Sequence, residues 1–153
     1  MNIGYRNTSP DKPSCFELFV STGWNQVYGL NDDEYFQAVS QSWHVVAVFD
    51  GDRLVGVGEV ISDGRLYALV VDVIVLPQYR GKGIGTVLMK RMIQQCSLSG
   101  IRDVKLLAAK GKADFYRRFG FIERAADAPA MSLCAGREAA NLPHSAAVLL
   151  DCS

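Results

Sequence analysis

The sequence of 153 residues is 49% hydrophobic, 21% charged and 10% aromatic, which excludes a disordered or fibrous chain and fits one soluble globular domain. Sixteen basic and 16 acidic residues give a formal net charge of zero, which argues against a nucleic-acid partner. No apolar run nears the roughly 18 to 20 residues of a membrane span, and Met1 to Arg6 lacks the pattern of a secretion signal, so the expected location is the cytoplasm, with no membrane partner.

Taken in chain order, Asn2 to Arg6 reads as a short strand, and Asp11 to Val20 and Asp32 to Ser42 read as helices. The second helix opens on Asp32, Asp33 and Glu34, whose charges suit a helix N-terminus. Trp24 and Tyr28 fall in the loop between these helices. His44 to Phe49 and Leu54 to Ile61, separated by Asp50-Gly51, form an expected hairpin. After a turn at Asp63-Gly64, Leu66 to Leu76 is almost continuously apolar, as in a strand buried on both faces.

From Gly83 the period becomes helical, with Ile84, Leu88, Met92 and Cys96 in one stripe widened by Met89 and Ile93, and Gly100 as a natural terminator. Val104 to Ala109 reads as a strand, Ala113 to Phe119 as a short helix, and Phe121 opens another strand. No repeat, low-complexity block or linker divides the chain, so residues 1–153 are expected to be a single domain. Residues 135–153 carry little pattern and are left as a tail, an extra strand or a partner-contacting segment. The scattered Cys15, Cys96, Cys134 and Cys152 and the distant His44 and His144 suggest reduced thiols and no metal.

The zero net charge hides a polarity. Residues 80–124 hold 11 basic and three acidic side chains, a net +8, and the rest of the chain carries the compensating −8. Such a segment suits a small polyanion better than a long nucleic acid. It contains the most informative stretch, Val73-Ile74-Val75-Leu76-Pro77-Gln78-Tyr79-Arg80-Gly81-Lys82-Gly83-Ile84-Gly85, in which a buried strand, a glycine-rich turn and an amphipathic helix follow one another. A helix N-terminus offers unpaired N–H groups and partial positive charge, and glycines let a phosphate approach them. The spacing fits neither Gly-x-x-x-x-Gly-Lys-Ser/Thr nor Gly-x-Gly-x-x-Gly. It reads Arg-x-x-Gly-x-Gly from Arg80 through Gly83 to Gly85.

This stretch resembles the acetyl-CoA pyrophosphate loop of the GNAT superfamily of N-acetyltransferases, which has the form Gln/Arg-x-x-Gly-x-Gly/Ala between a strand and a helix. Ala113-Asp114-Phe115-Tyr116-Arg117-Arg118-Phe119-Gly120-Phe121 is similar to the second signature of that family, a helix with a Tyr before a Gly-Phe pair. The resemblance covers about His44 to Met131. Asp63-Gly64, Asp72-Val73-Ile74-Val75 and Phe115-Tyr116 are similar to small-amine members of the arylalkylamine type. The resemblance implies a mixed α/β fold with a central, largely antiparallel sheet, a splayed strand pair beside Val73 to Val75, and helices on both faces. It implies acetyl-CoA as cosubstrate, bound by Val73, Ile74 and Val75 and by the loop Arg80, Gly81, Lys82, Gly83, Ile84 and Gly85. It also implies that Tyr116 points its hydroxyl at the coenzyme sulfur, where a phenol can donate a hydrogen bond to the developing thiolate.

An amine acceptor is protonated at neutral pH, so some group must accept its proton before it attacks. Asp72 interrupts an apolar strand and so needs a partner or a function, Glu59 on the preceding strand is its competitor, and an ordered-water route stands beside both. His44 reads as a core or rim residue. Trp24 and Tyr28 either contact the acceptor or close the core edge. The expected reaction is direct acetyl transfer to the primary amine of a small molecule in a ternary complex, with a backbone N–H at Ile74 or its neighbour stabilising the oxyanion. A protein lysine or N-terminal acetyltransferase and a non-catalytic acyl-CoA-binding module remain as alternatives. The oligomeric state, monomer or homodimer, is open.

Overall fold

The computed structural model describes residues 1–132, and these fall into two units, Met1–Leu107 and a smaller stretch from Ala108 onward. The first unit holds strands β1 (Ile3–Arg6), β2 (His44–Asp50), β3 (Arg53–Ser62), β4 (Tyr67–Val75) and β5 (Asp103–Leu106). Its helices are α1 (Lys12–Val20), α2 (Asn25–Tyr28), α3 (Asp32–Gln41) and α4 (Ile84–Leu98). The second unit holds α5 (Ala113–Arg117). The tail considered at 135–153 lies outside the described residues.

Local chemistry accounts for most boundaries. Asp11 caps α1 by accepting from the Ser14 N–H at 3.0 Å. At α3 the Asn31 side chain accepts from the Glu34 N–H, and Glu34 returns a carboxylate to the Asn31 N–H, each at 2.9 Å. Where a loop was expected around Trp24 and Tyr28, the chain makes one helical turn, α2, and Gly29 at φ +64° ends it. The strand expected to open at Phe121 does not form. Residues 121–125 lie in no strand, the Ile122 side chain is 91% exposed, and the segment closes on itself through an Ala128 N–H to Ala125 carbonyl bond at 2.9 Å.

The strands form one sheet in the order β1-β2-β3-β4-β5, antiparallel except for the parallel pair β4–β5. A parallel connection needs a crossover, and α4 supplies it. It buries the expected stripe of Ile84, Leu88, Met89, Met92 and Cys96 against β2, β3 and β4. Successive residues of a strand point to opposite faces, and Gly58 and Glu59 on β3 show which face is which. A Cβ on Gly58 would stand 2.8 Å from the Met92 Cε, so Gly58 faces α4. Glu59 faces the other way, where α1 packs on β3 and α3 packs on α1. The sheet is therefore covered by helices on both faces.

Two irregularities in β4 shape the surroundings of Asp72. First, Val71 lies opposite Glu59 and Ile74 opposite Val57, so β4 carries one more residue than β3 across this interval. The bulge contains Asp72 at φ +49°, the only non-glycine residue with positive φ among the described residues. Second, β5 pairs with β4 only from Tyr67 to Val70. From Val71 to Val75 the edge of β4 that faces away from β3 has no strand beside it among the described residues, which is the expected splay.

Candidate active site

The glycine-rich loop begins where β4 ends. Pro77–Tyr79 makes a 3-10 turn, and the Arg80 side chain reaches back so that its Nε donates to the Val75 carbonyl at 3.0 Å. Gly81 and Gly83 sit at φ +70° and +79°, where an L side chain is strained. A Cβ at either would meet no atom within 4 Å, so the glycines are required by the backbone and leave an open face. Gly83 is the N-cap residue of α4, and no side chain caps that terminus. The first-turn N–H groups of a 15-residue helix are thus presented beside Lys82, an arrangement that suits a phosphate.

The loop is tied down at its start. The Tyr79 hydroxyl donates to Asp50 Oδ2 at 3.0 Å, and the Asn2 N–H donates to Asp50 Oδ1 at 2.6 Å. These bonds, the Asn2 one first, hold the Asp50 carboxyl below its usual range. Lys82 rests over the Tyr79 ring, 5.4 Å from its centroid. The loop is therefore fixed to the β1 and β2 end of the sheet, and the β4 segment Val73 to Val75, with no strand beside its outer edge among the described residues, leads directly into it.

The two carboxylates that compete for the base role lie together. Glu59 is buried, at 3% exposure, and Asp72 is half-buried within hydrogen-bonding reach of it. Ser42, just past the end of α3, donates from its Oγ to Glu59 Oε2 at 2.7 Å. Tyr35 of α3 donates to Asp72 Oδ2 over a long 3.4 Å. Burial, followed by the charge of Asp72, pushes the Glu59 carboxyl up to about 8, against the opposing Ser42 bond. Burial also raises Asp72. Cys15 of α1 completes the surroundings, its thiol pushed up to about 12 by burial and then by the charges of Glu59, Asp11 and Asp72.

Tyr35 and Ser42 join the site without having stood out in the sequence. Tyr35 shares with Val39 the buried i, i+4 face of α3, and a hydroxyl on a core face needs a partner. That signal was available; nothing in the sequence marks Ser42. Trp24 is buried edge-on against Phe19, with ring centroids 6.4 Å apart, so its packing alternative is the one observed. Tyr28 is 58% exposed, with its ring 6.5 Å from that of Phe19. His44 is half-buried, and burial lowers its ring pKa, which keeps it neutral. In the second unit Tyr116 is buried on α5, with the rings of Phe115 and Phe121 edge-on at 5.1 and 6.4 Å.

A β4 edge without a neighbouring strand, an uncapped helix N-terminus beyond its end and a carboxylate pair on β3 and β4 are the chemically distinctive features of the first unit. Residues 19–129 match the acetyltransferase (GNAT) domain family, and the chain belongs to that family. It is 37% identical over 71 residues to the uncharacterized N-acetyltransferase ycf52 of Porphyra purpurea, a match that covers 46% of this chain and 41% of that protein. It is 35% identical over 69 residues to the histone acetyltransferase TAP1 of Glycine max, covering 45% and 30%. The chain thus matches less than half the length of these curated relatives. In fold it is similar to a probable acetyltransferase from methicillin-resistant Staphylococcus aureus, with a TM-score of 0.75, 22% identity, and coverage of 86% of this chain and 98% of that one.

Proposed function

We propose that the protein transfers the acetyl group of acetyl-CoA to a primary amine of a small cationic molecule, by direct attack in a ternary complex. The observation that carries this reading is the Glu59–Asp72 pair on β3 and β4, adjoining the open β4 edge and the loop that β4 feeds. The Arg80 to Gly85 loop would hold the pyrophosphate through the α4 N–H groups and Lys82. The pantetheine arm would lie along Val73 to Val75 as an added strand, using backbone hydrogen bonds.

On this reading Asp72 takes one proton from the ammonium, and the neutral amine then attacks the thioester carbonyl. A backbone N–H at Ile74 or its neighbour stabilises the oxyanion that forms. As the C–S bond breaks, the sulfur takes up a proton, supplied through Tyr116, and the nitrogen gives up its second proton. The sum is an amide, a free thiol and one proton released from Asp72 to solvent. The role of Tyr116 rests on its place in the second signature motif alone. Residues 1–79 carry four basic and 10 acidic side chains, and a negative field of this kind favours a cationic acceptor.

A protein acceptor, a lysine side chain or an N-terminus, is the second reading, favoured by the likeness to a relative named as a histone acetyltransferase. Thiol release from acetyl-CoA against a panel of cationic amines, amino acids and peptides separates the two. Faster turnover of small cationic amines at low salt, fading as salt rises, supports the first reading. Turnover of peptides alone supports the second, and no turnover with any acceptor leaves an acyl-CoA-binding module.

A further inference from the structure

Among the described residues Glu59 is the one buried charged side chain, and its two oxygens are treated differently. Oε2 accepts the Ser42 hydroxyl at 2.7 Å, whereas Oε1 finds no donor among the described residues. The group within reach is the Asp72 carboxyl, itself an acceptor when ionised. Neither carboxylate has an ion pair with a lysine or arginine among the described residues. A buried anion beside a half-buried one is costly, and a buried acceptor without a donor adds to that cost. One proton, placed on Glu59 Oε1 and shared towards Asp72, removes both penalties.

We infer that Tyr35 and Ser42 are positioning residues with separate tasks: Tyr35 keeps Asp72 the anion and so leaves the single proton on Glu59, and Ser42 selects Oε1 as the Glu59 oxygen that carries it. The Ser42 hydroxyl keeps Oε2 an acceptor, so Oε1 is the oxygen left to carry the proton. The Tyr35 hydroxyl stabilises negative charge on Asp72 and so draws the proton away from it. Tyr35 can hold this role because its ring is clamped on Phe19, the two stacked 4.0 Å apart at 12°. Burial, followed by the charge of Asp72, raises its phenol, which therefore stays a donor. The other titratable group facing the pair, Cys15 on α1, stays a neutral thiol over the ordinary pH range. The pair then acts as one acid and one base with fixed identities, in the manner of two carboxyls that cannot both ionise.

The consequence for acetyl transfer depends on the proposed activity. A proton resting on Asp72 would block uptake of the amine's proton; a proton kept on Glu59 leaves Asp72 ready. The same arrangement gives the pair one net negative charge, enough to attract one ammonium.

Carboxyl carbon-13 NMR titration of the ligand-free protein reads the proton directly. In the wild type, Glu59 should be protonated and Asp72 ionised at neutral pH. Tyr35→Phe, which keeps the stacked ring, should raise the pH at which Asp72 ionises. Ser42→Ala should raise the pH at which Glu59 ionises, and Ser42→Thr should restore it. With the best amine, Tyr35→Phe should lower kcat/KM several-fold at neutral pH, with the loss recovered at higher pH and the KM for acetyl-CoA unchanged. Two ionised carboxylates in the wild type at neutral pH, or Asp72 and Glu59 titrations that ignore both substitutions, would overturn the inference. Shifted titrations in a protein that acetylates nothing would refute the proposed function and leave this inference standing.

Discussion

Glu59 and Asp72 meet on one face of the sheet although the residue opposite Glu59 in the strand ladder is Val71. In an unbroken β4 the alternation would send Asp72 to the face covered by α4, among Leu88 and Met92. The extra residue of the bulge breaks that alternation, and the positive φ of Asp72 is the conformation that accomplishes it. Aspartate and asparagine tolerate this conformation better than other non-glycine residues, so the backbone and the chemistry ask for the same side chain.

The pair makes stability depend on pH in a defined direction. The Glu59 carboxyl rises from an ordinary 4.5 to about 8 on folding, chiefly through burial. Over that window the native state binds more protons than the unfolded chain, so the contribution of Glu59 to stability, complete below about pH 4.5, is lost as pH rises towards 8. The upward shift of Asp72 has the same sign. Urea unfolding across this range should therefore show Glu59→Gln gaining on the wild type as pH increases. Parallel curves for the two proteins would mean that Glu59 is ionised without penalty.

At the loop, Gly83 separates strain from charge. Gly83→Ala places a side chain at φ +79° in open space and should cost about 1 kcal/mol of stability, with a modest effect on coenzyme binding. Gly83→Asp adds negative charge at the α4 N-terminus and should weaken CoA binding by roughly tenfold or more, about 1.4 kcal/mol. Calorimetric titration of the folded variants gives the coenzyme affinities, and urea unfolding gives the stability cost. Equal affinities for Gly83→Asp and wild type would remove the phosphate from this loop.

Tyr116→Phe addresses the leaving group. If the hydroxyl acts as charge develops on sulfur, turnover should fall by about 100-fold while coenzyme affinity changes little. Steady-state kinetics beside CoA titration makes the comparison. Full turnover in the variant would make Tyr116 a packing residue among Phe115 and Phe121.

The parts of the fold legible in the sequence are those with long, unambiguous periods. The apolar run into β4, the stripe of α4 and the glycine loop between them carry their own geometry, because burial on both faces, the 3.6-residue repeat and positive φ each leave a compositional trace. The bulge at Asp72 leaves none: a run of valines and isoleucines reads the same in any register. Hence the sequence shows Asp72 and Glu59 as competing bases on adjacent strands near one cleft, and does not show the bulge that turns Asp72 to the face of Glu59. Tyr35 and Ser42 are hidden for a related reason, since their partners are 37 and 17 residues away in sequence and only the sheet brings them together. The missing strand after Gly120 shows the converse error, where an apolar residue following a glycine implied a ladder that the local turn at Ala125 and Ala128 replaces.

The proposed chemistry turns on Asp72 accepting the proton of the amine. Asp72→Asn tests this most directly, because asparagine tolerates the same backbone conformation and removes only the charge. The measurement is kcat/KM for the best cationic amine against pH at saturating acetyl-CoA, in wild type and variant. With Asp72 as the base, the variant should lose most of its rate at neutral pH, and the residual rate should rise with pH only as the free amine itself becomes neutral. A variant that retains the wild-type rate and pH profile would contradict that role and give the part of base to water.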